Sequence, residues 1–173
     1  MPKQHIHVVI TGGTIDSEWN PAKDTAVTAD ESVLPGYFKK LKLDAELTFN
    51  TVVMKDSREF TPEDIKAICA AVDDSPSDKV LLTHGTYTMP DTARYLEKHM
   101  KTEKAVVLTG SVIPLKGYEM SDAPFNLGFA IATLLNMEQG VRIVLQGHVF
   151  SPGDVAKNLA EGRFFSLDEL GKE

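Results

Sequence analysis

Ile6-His7-Val8-Val9-Ile10, running directly into Thr11-Gly12-Gly13-Thr14, is the stretch whose reading decides the fold. Apart from His7 the run is β-branched. It closes in a turn that glycine's access to positive φ makes feasible, so it reads as a strand ending at a tight loop. The same phrase returns twice, as Lys79-Val-Leu-Leu-Thr83 into His84-Gly85-Thr86 and as Ala105-Val-Val-Leu108 into Thr109-Gly110-Ser111. Continuous apolar runs of this length belong to strands covered on both faces, the habit of parallel sheets. Between them lie helix signals. Ser32 to Lys42 places Leu34, Phe38 and Leu41 on one face. Thr61-Pro62-Glu63-Asp64 supplies a capping hydroxyl, a first-turn proline and two acids ahead of Ile65, Ile68, Cys69 and Val72. Asp91 to Lys101 has Ala93, Leu96 and Met100 inward, and Ser121-Asp122-Ala123-Pro124 opens a helix to about Glu138. Ala45 to Met54 and Val141 to Phe150 read as further strands, and residues 151–159 as a turn with a short helix or loop. The alternation predicts right-handed βαβ units. The fold class is therefore α/β: a doubly wound, mainly parallel sheet in three layers (Rossmann/flavodoxin-like), one domain over residues 1–173. Ligands of such sheets sit outside the carboxyl ends of the strands.

Composition narrows the partners. Across 173 residues, 18 Lys and Arg stand against 25 Asp and Glu, a net charge of −7. Nucleic acid and anionic membranes are bound through clustered cations, so neither is expected as a partner. The single cysteine, Cys69, permits neither an internal disulfide nor a CxxC site, which predicts a reducing, cytoplasmic setting. The apolar run Val8-Val9-Ile10 before Thr11 is too short for a signal-peptide core or a membrane span.

The three strand ends each put small hydroxyls and flexible backbone at the edge where the fold places its ligand, which predicts a pocket lined by hydroxyls and main-chain NH groups. Competing motifs are missing. No Gly-Lys-Ser/Thr follows Gly12-Gly13, no Gly-x-Gly-x-x-Gly fingerprint is present, and there is no Gly-x-Ser-x-Gly elbow. His5 and His7 share a strand face but lie at its amino end, away from the pocket, and read as ordinary strand histidines rather than metal ligands. His84 reads as packed and hydrogen-bonded more readily than as a base. A threonine hydroxyl becomes a nucleophile only beside a proton acceptor, and Lys157 is the candidate, since a desolvated lysine turns neutral more easily.

Thr11-Gly12-Gly13-Thr14-Ile15, paired with His84-Gly85-Thr86-x-Thr88-Met89, resembles the double motif of the bacterial-type L-asparaginase (asparaginase/glutaminase) family. Asp56-Ser57 before Thr61-Pro62-Glu63-Asp64, the run Val106 to Ser111, Ser121-Asp122 with Pro124-Phe125-Asn126-Leu127, and Asp154-Val155 before Lys157 extend the likeness. It runs from about Ile6 to Phe165, nearly the whole chain, yet matches only the N-terminal half of the usual member, so a single domain without a C-terminal one is expected. The resemblance implies an amidohydrolase that deaminates asparagine, glutamine or a related small amide through an acyl-enzyme, without metal or organic cofactor. Thr14 would be the nucleophile and Thr86 with Lys157 a second hydroxyl and base unit. Ser57 would hold the substrate carboxylate, amide NH groups near Thr86 would serve the oxyanion, and Gly85, Tyr87 and Ser111 would complete the substrate wall.

Two departures stand out. The family has Asp where this chain has Tyr87, and losing that negative charge should lower the Lys157 pKa while forfeiting an ion pair with a substrate ammonium. The family's loop tyrosine has no counterpart between Thr14 and Tyr37, where the aromatic is Trp19; Tyr37 or Tyr87 could stand in. Phe125, Leu127, Phe129, Ile131, Leu134 and Leu135 spread apolar groups widely around one helix, consistent either with a homodimer or higher homo-oligomer or with deep burial in its own domain. The alternatives to an enzyme are a non-catalytic amino-acid-binding pseudoenzyme that has lost the acid, and a flavodoxin-like nucleotide or flavin binder argued from fold alone.

Overall fold

The computed structural model describes residues 3–117 and 119–169. In chain order its elements are β1 (Gln4–Gly12), β2 (Ser17–Asn20), β3 (Thr25–Thr28), α1 (Leu34–Leu41), β4 (Ala45–Lys55), α2 (Pro62–Asp73), β5 (Lys79–Thr83) and α3 (Met89–His99). They continue with β6 (Ala105–Thr109), α4 (Ala123–Asn136), β7 (Gly140–Leu145), β8 (His148–Phe150), β9 (Ala156–Asn158) and β10 (Arg163–Phe165). Six strands form the main sheet in the order β4-β1-β5-β6-β7-β8, parallel throughout except for β8. This is the doubly wound α/β layer that the alternation implied.

Side-chain alternation explains the three layers. Val9, Val80, Leu82, Val106, Leu108 and Ile143 pack in one core cluster with Ile68 and Val72 of α2 and Leu96 of α3. Their neighbours Val8, Ile10, Leu81, Val107 and Val144 point to the other face, against Phe38 of α1 and Leu127 and Leu134 of α4. Because successive residues of a strand face opposite ways, only strands apolar at every position can feed both clusters. α2 begins where its capping signal said: Thr61 Oγ1 accepts from the Asp64 backbone NH at 3.2 Å, and Asp64 Oδ2 accepts from the Thr61 NH at 2.8 Å.

Three elements differ from the sequence expectation. Val141 to Phe150 is not one strand but a β7–β8 hairpin, reversed at Gln146 and Gly147 with φ of 54° and 80°. Two consecutive positive φ values give the tight turn whose twist matches antiparallel strands. Residues 151–159 carry neither helix nor plain loop; β9 pairs antiparallel with β10. β2 and β3 form a further hairpin, unanticipated, between the first strand and the first helix. α4 is not deeply buried all round: Phe125 is 60% exposed and stacks on half-buried Phe129 at 6.1 Å. Among the described residues no helix is long and apolar enough to cross a membrane.

The strand order positions the site. From β1 the chain moves to β4 on one side, then returns across β1 to β5 on the other. The helices that follow β1 and β5 pack on opposite faces of the sheet, and the crevice at the carboxyl ends of those two strands is where a doubly wound sheet holds its ligand.

Candidate active site

A cavity of about 220 Å³ opens at that crevice, lined by Gly13 and Thr14 after β1, Asp56, Ser57 and Arg58 after β4, Gly85, Thr86 and Tyr87 after β5, and Lys157 of β9. Six of the seven residues singled out from the sequence, Thr14, Ser57, Gly85, Thr86, Tyr87 and Lys157, thus share one space. Ser111 does not line it: it is buried and its hydroxyl donates to the Ile113 carbonyl at 2.6 Å. The first threonines of two of these phrases, Thr11 and Thr109, are also withdrawn. Thr11 Oγ1 donates to the Thr83 carbonyl and Thr109 Oγ1 to the Val144 carbonyl, both at 2.8 Å, so these hydroxyls tie strands together inside the sheet.

Glycine brings the two threonines to one cavity. Gly13 has φ 79° and ψ −169°, a conformation only glycine adopts readily. A Cβ placed there would lie 2.5 Å from Gly85 Cα and N. A Cβ on Gly85 would lie 2.6 Å from Ser57 Oγ. The loops after β1 and β5 therefore touch backbone to backbone, and the Ser57 side chain of the loop after β4 packs against Gly85, which brings Thr14, Ser57 and Thr86 to one place.

Lys157 reaches the cavity on the β9–β10 hairpin. Its cross-strand partner Phe164 is buried in the core, and the preceding turn is tied by Asp154, whose Oδ2 accepts from Ser166 Oγ at 2.6 Å and whose Oδ1 accepts from the Asp168 NH at 2.9 Å. From there Lys157 Nζ donates to Thr86 Oγ1 at 2.7 Å. Burial, then the Arg58 charge, hold the Lys157 ammonium below its ordinary value, while Asp56 offsets part of that shift.

Asp56, quoted in the motif without a role, and Arg58, absent from it, also line the cavity. The guanidinium holds both carboxylate oxygens, Nε to Oδ1 at 3.0 Å and Nη2 to Oδ2 at 2.6 Å, and its Cζ lies 5.8 Å from the centre of the Tyr87 ring. Hydrogen bonds from Arg58 hold the Asp56 carboxyl below the usual range. Their signal was local: an acid and a base flanking Ser57 at a strand end. Asp16 also went unread. It is buried, and its Oδ1 accepts from Ser32 Oγ at 2.8 Å and from the Val33 NH at 2.9 Å, pinning the loop before α1 to the 3-10 turn that carries Thr14. Burial raises its pKa, and its Oδ2 has no hydrogen-bond partner among the described residues.

Tyr87 is 48% exposed and lines the cavity. Tyr37 does not; it stays on α1, edge-on to Phe38 at 5.6 Å, and Trp19 lies exposed on β2. His5 and His7 both meet Thr48 Oγ1, at 3.1 and 2.8 Å, at the opposite end of the sheet. His84 is wholly buried, with Nδ1 2.7 Å from the Gly85 carbonyl oxygen, Nε2 2.8 Å from Thr92 Oγ1 and the Phe60 ring against it. Burial lowers its pKa to about 4. Because the unfolded chain takes up a proton near 6.5 and the native state does not until about 4, native stability falls as pH drops through that window. Between pH 7 and pH 5 this term costs about 2 kcal/mol, and urea titrations of the protein beside His84→Gln should show that the variant lacks it.

The arrangement defines a class: an α/β domain with two threonines, a desolvated lysine and a small polar cavity at the switch point of its sheet. Residues 5–165 match the family model described as Asparaginase, N-terminal, and the chain belongs to that family. It is 30% identical to a glutaminase-asparaginase of Acinetobacter glutaminasificans over 91% of this chain and 50% of that protein. With L-asparaginase 2 of Escherichia coli (strain K12) the identity is 29%, over 88% of this chain and 46% of the relative. Among solved structures, the thermostable L-asparaginase from Thermococcus kodakarensis superposes with a TM-score of 0.78 at 27% identity, over 94% of this chain and 51% of that one. The chain spans about half the length of these relatives.

Proposed function

We propose that this domain hydrolyses the side-chain amide of a small carboxylic acid such as asparagine, glutamine or a close relative. The observation that carries the reading is the 2.7 Å contact of Lys157 Nζ with Thr86 Oγ1 in the cavity that also holds Thr14. A lysine of lowered basicity against a threonine hydroxyl is a proton-accepting unit, and a binding pocket alone has no need of one. Thr14 Oγ attacks the amide carbon as its proton passes to the Thr86–Lys157 unit, which returns it to the leaving nitrogen. The carbon–nitrogen bond then breaks, ammonia leaves with a proton, and Thr14 carries the acyl group as an ester. Water, activated through Thr86 and Lys157, cleaves the ester to release the acid and restore Thr14. NH groups of the loop after β5 serve the oxyanion, and Ser57 the substrate carboxylate. Ammonia release from a panel of ω-amides, lost in Thr14→Ala, is the test; silence across the panel at saturating concentration rejects the reading.

A pH dependence follows. Activity that needs neutral Lys157 rises with pH through that group's pKa, below the ordinary lysine range. Arg58→Gln removes a neighbouring positive charge and frees Asp56, both of which raise the Lys157 pKa, so the rising limb of kcat/KM should move to higher pH. An unmoved limb would mean that Lys157 does not set it. The same reading includes a homodimer that covers the α4 face at Phe125, and sedimentation equilibrium should return twice the chain mass; a monomer at all concentrations removes that part.

A further inference from the structure

The charges of the cavity go further than the reaction class. This inference rests on the amidohydrolase reading and names its substrate. The ionisable groups around the cavity include one fixed cation, Arg58, one carboxylate, Asp56, and Lys157, which the reaction uses in its neutral form. That carboxylate is committed: Oδ1 accepts from the Arg58 backbone NH at 2.9 Å and from Nε at 3.0 Å, and Oδ2 from Nη2 at 2.6 Å. Tyr87 beneath the guanidinium helps to hold it in place. An incoming ammonium meets the like charge of Arg58 and an anion that already has a bidentate partner. Displacing that partner would give up two fixed hydrogen bonds for a single-point contact, since an ammonium cannot reproduce the planar fork. An incoming carboxylate meets the reverse. Arg58 spends only Nε and one Nη on Asp56, and a guanidinium has five N–H donors, so donors remain for a second acid.

We infer that the site selects ω-amides of carboxylic acids that carry no α-ammonium group, the class of succinamate and glutaramate, with Arg58 receiving the carboxylate and setting the preference. A cavity of about 220 Å³ suits molecules of that size. The chemistry is unchanged: amide and water give the dicarboxylic acid and ammonia.

The test measures ammonia release by the full chain from succinamate, glutaramate, asparagine and glutamine, and calorimetric binding of the same four to Thr14→Ala. The ammonium-free amides should lead in kcat/KM by about tenfold or more, mainly through KM, with the same order in the binding constants. Asparagine or glutamine hydrolysed as well or better overturns the inference and leaves the amidohydrolase reading standing. No ammonia from any of the four rejects that reading instead. Calorimetry then decides the ligand class alone: tighter binding of succinamate upholds it, and equal or tighter binding of asparagine overturns it. In Arg58→Gln the preference should shrink or invert, because the variant loses the N–H donors that receive the carboxylate and frees Asp56 for an ammonium; an unchanged ratio would also overturn the assignment.

Discussion

Thr14→Ala should lower kcat for ammonia release by about 10⁴-fold or more, and Lys157→Met by about 10²- to 10⁴-fold, with neither change unfolding the domain. The first figure follows from removing the only atom that carries the acyl group. The fold has little stake in that side chain: the Thr14 contribution to its turn is the backbone carbonyl that accepts from the Ser17 NH, which alanine keeps. Lys157 is anchored through its hairpin rather than through its ammonium, since Phe164 and Val155 bury the element whatever the lysine does. If the two act in one sequence, their effects overlap, and the double variant should fall no further than Thr14→Ala alone. Steady-state kinetics with thermal unfolding as the folding control measures both; additive losses, or a Thr14→Ala that keeps its rate, would speak against a shared mechanism.

Gly13→Ala should cost about 3 kcal/mol or more of stability and remove activity from whatever fraction stays folded. Two terms combine. Alanine does not tolerate φ 79° with ψ −169°, and its Cβ would press on backbone, Gly85 Cα and N at 2.5 Å, which has no rotamer with which to yield. Relief requires the loops after β1 and β5 to separate, and those loops carry Thr14 and Thr86. Gly36→Ala provides the control. Gly36 lies in α1 with nothing within 4 Å of an added Cβ, so the same substitution there should stabilise by roughly 0.5–1 kcal/mol. Denaturant unfolding of both variants checks the contrast; equal effects would mean that the loop contact does not constrain the fold.

Elements whose residues speak locally were legible in the sequence. β1, β5 and β6 announce themselves because an apolar run closed by small residues has few other readings, and α2 because Thr61, Pro62 and Asp64 each satisfy a different need of a helix end. The hairpins were harder. Val141 to Phe150 looks continuous because Gln146 and Gly147 interrupt it for only two residues, although that Gly was the available turn signal. β9 and β10 are three residues each, and their stability comes from Phe164 in a core assembled by distant strands. Site residues divide in the same way. Thr14, Ser57, Thr86 and Lys157 stand out by motif and order. The use of Arg58 to neutralise Asp56, and the withdrawal of Ser111 into a bond with Ile113, are set by side-chain directions that no spacing encodes.

The central claim is that Thr14 Oγ is activated in this cavity, and covalent capture tests it without knowledge of the substrate. The protein would be incubated with a diazo-ketone analogue of an ω-amide, offered with and without its α-amino group, then digested and mapped by mass spectrometry. A single adduct on Thr14, absent when Lys157 is methionine and formed faster by the analogue without the amino group, is the result expected. An unmodified chain with both reagents, or label scattered over surface nucleophiles with Thr14 untouched, would contradict it.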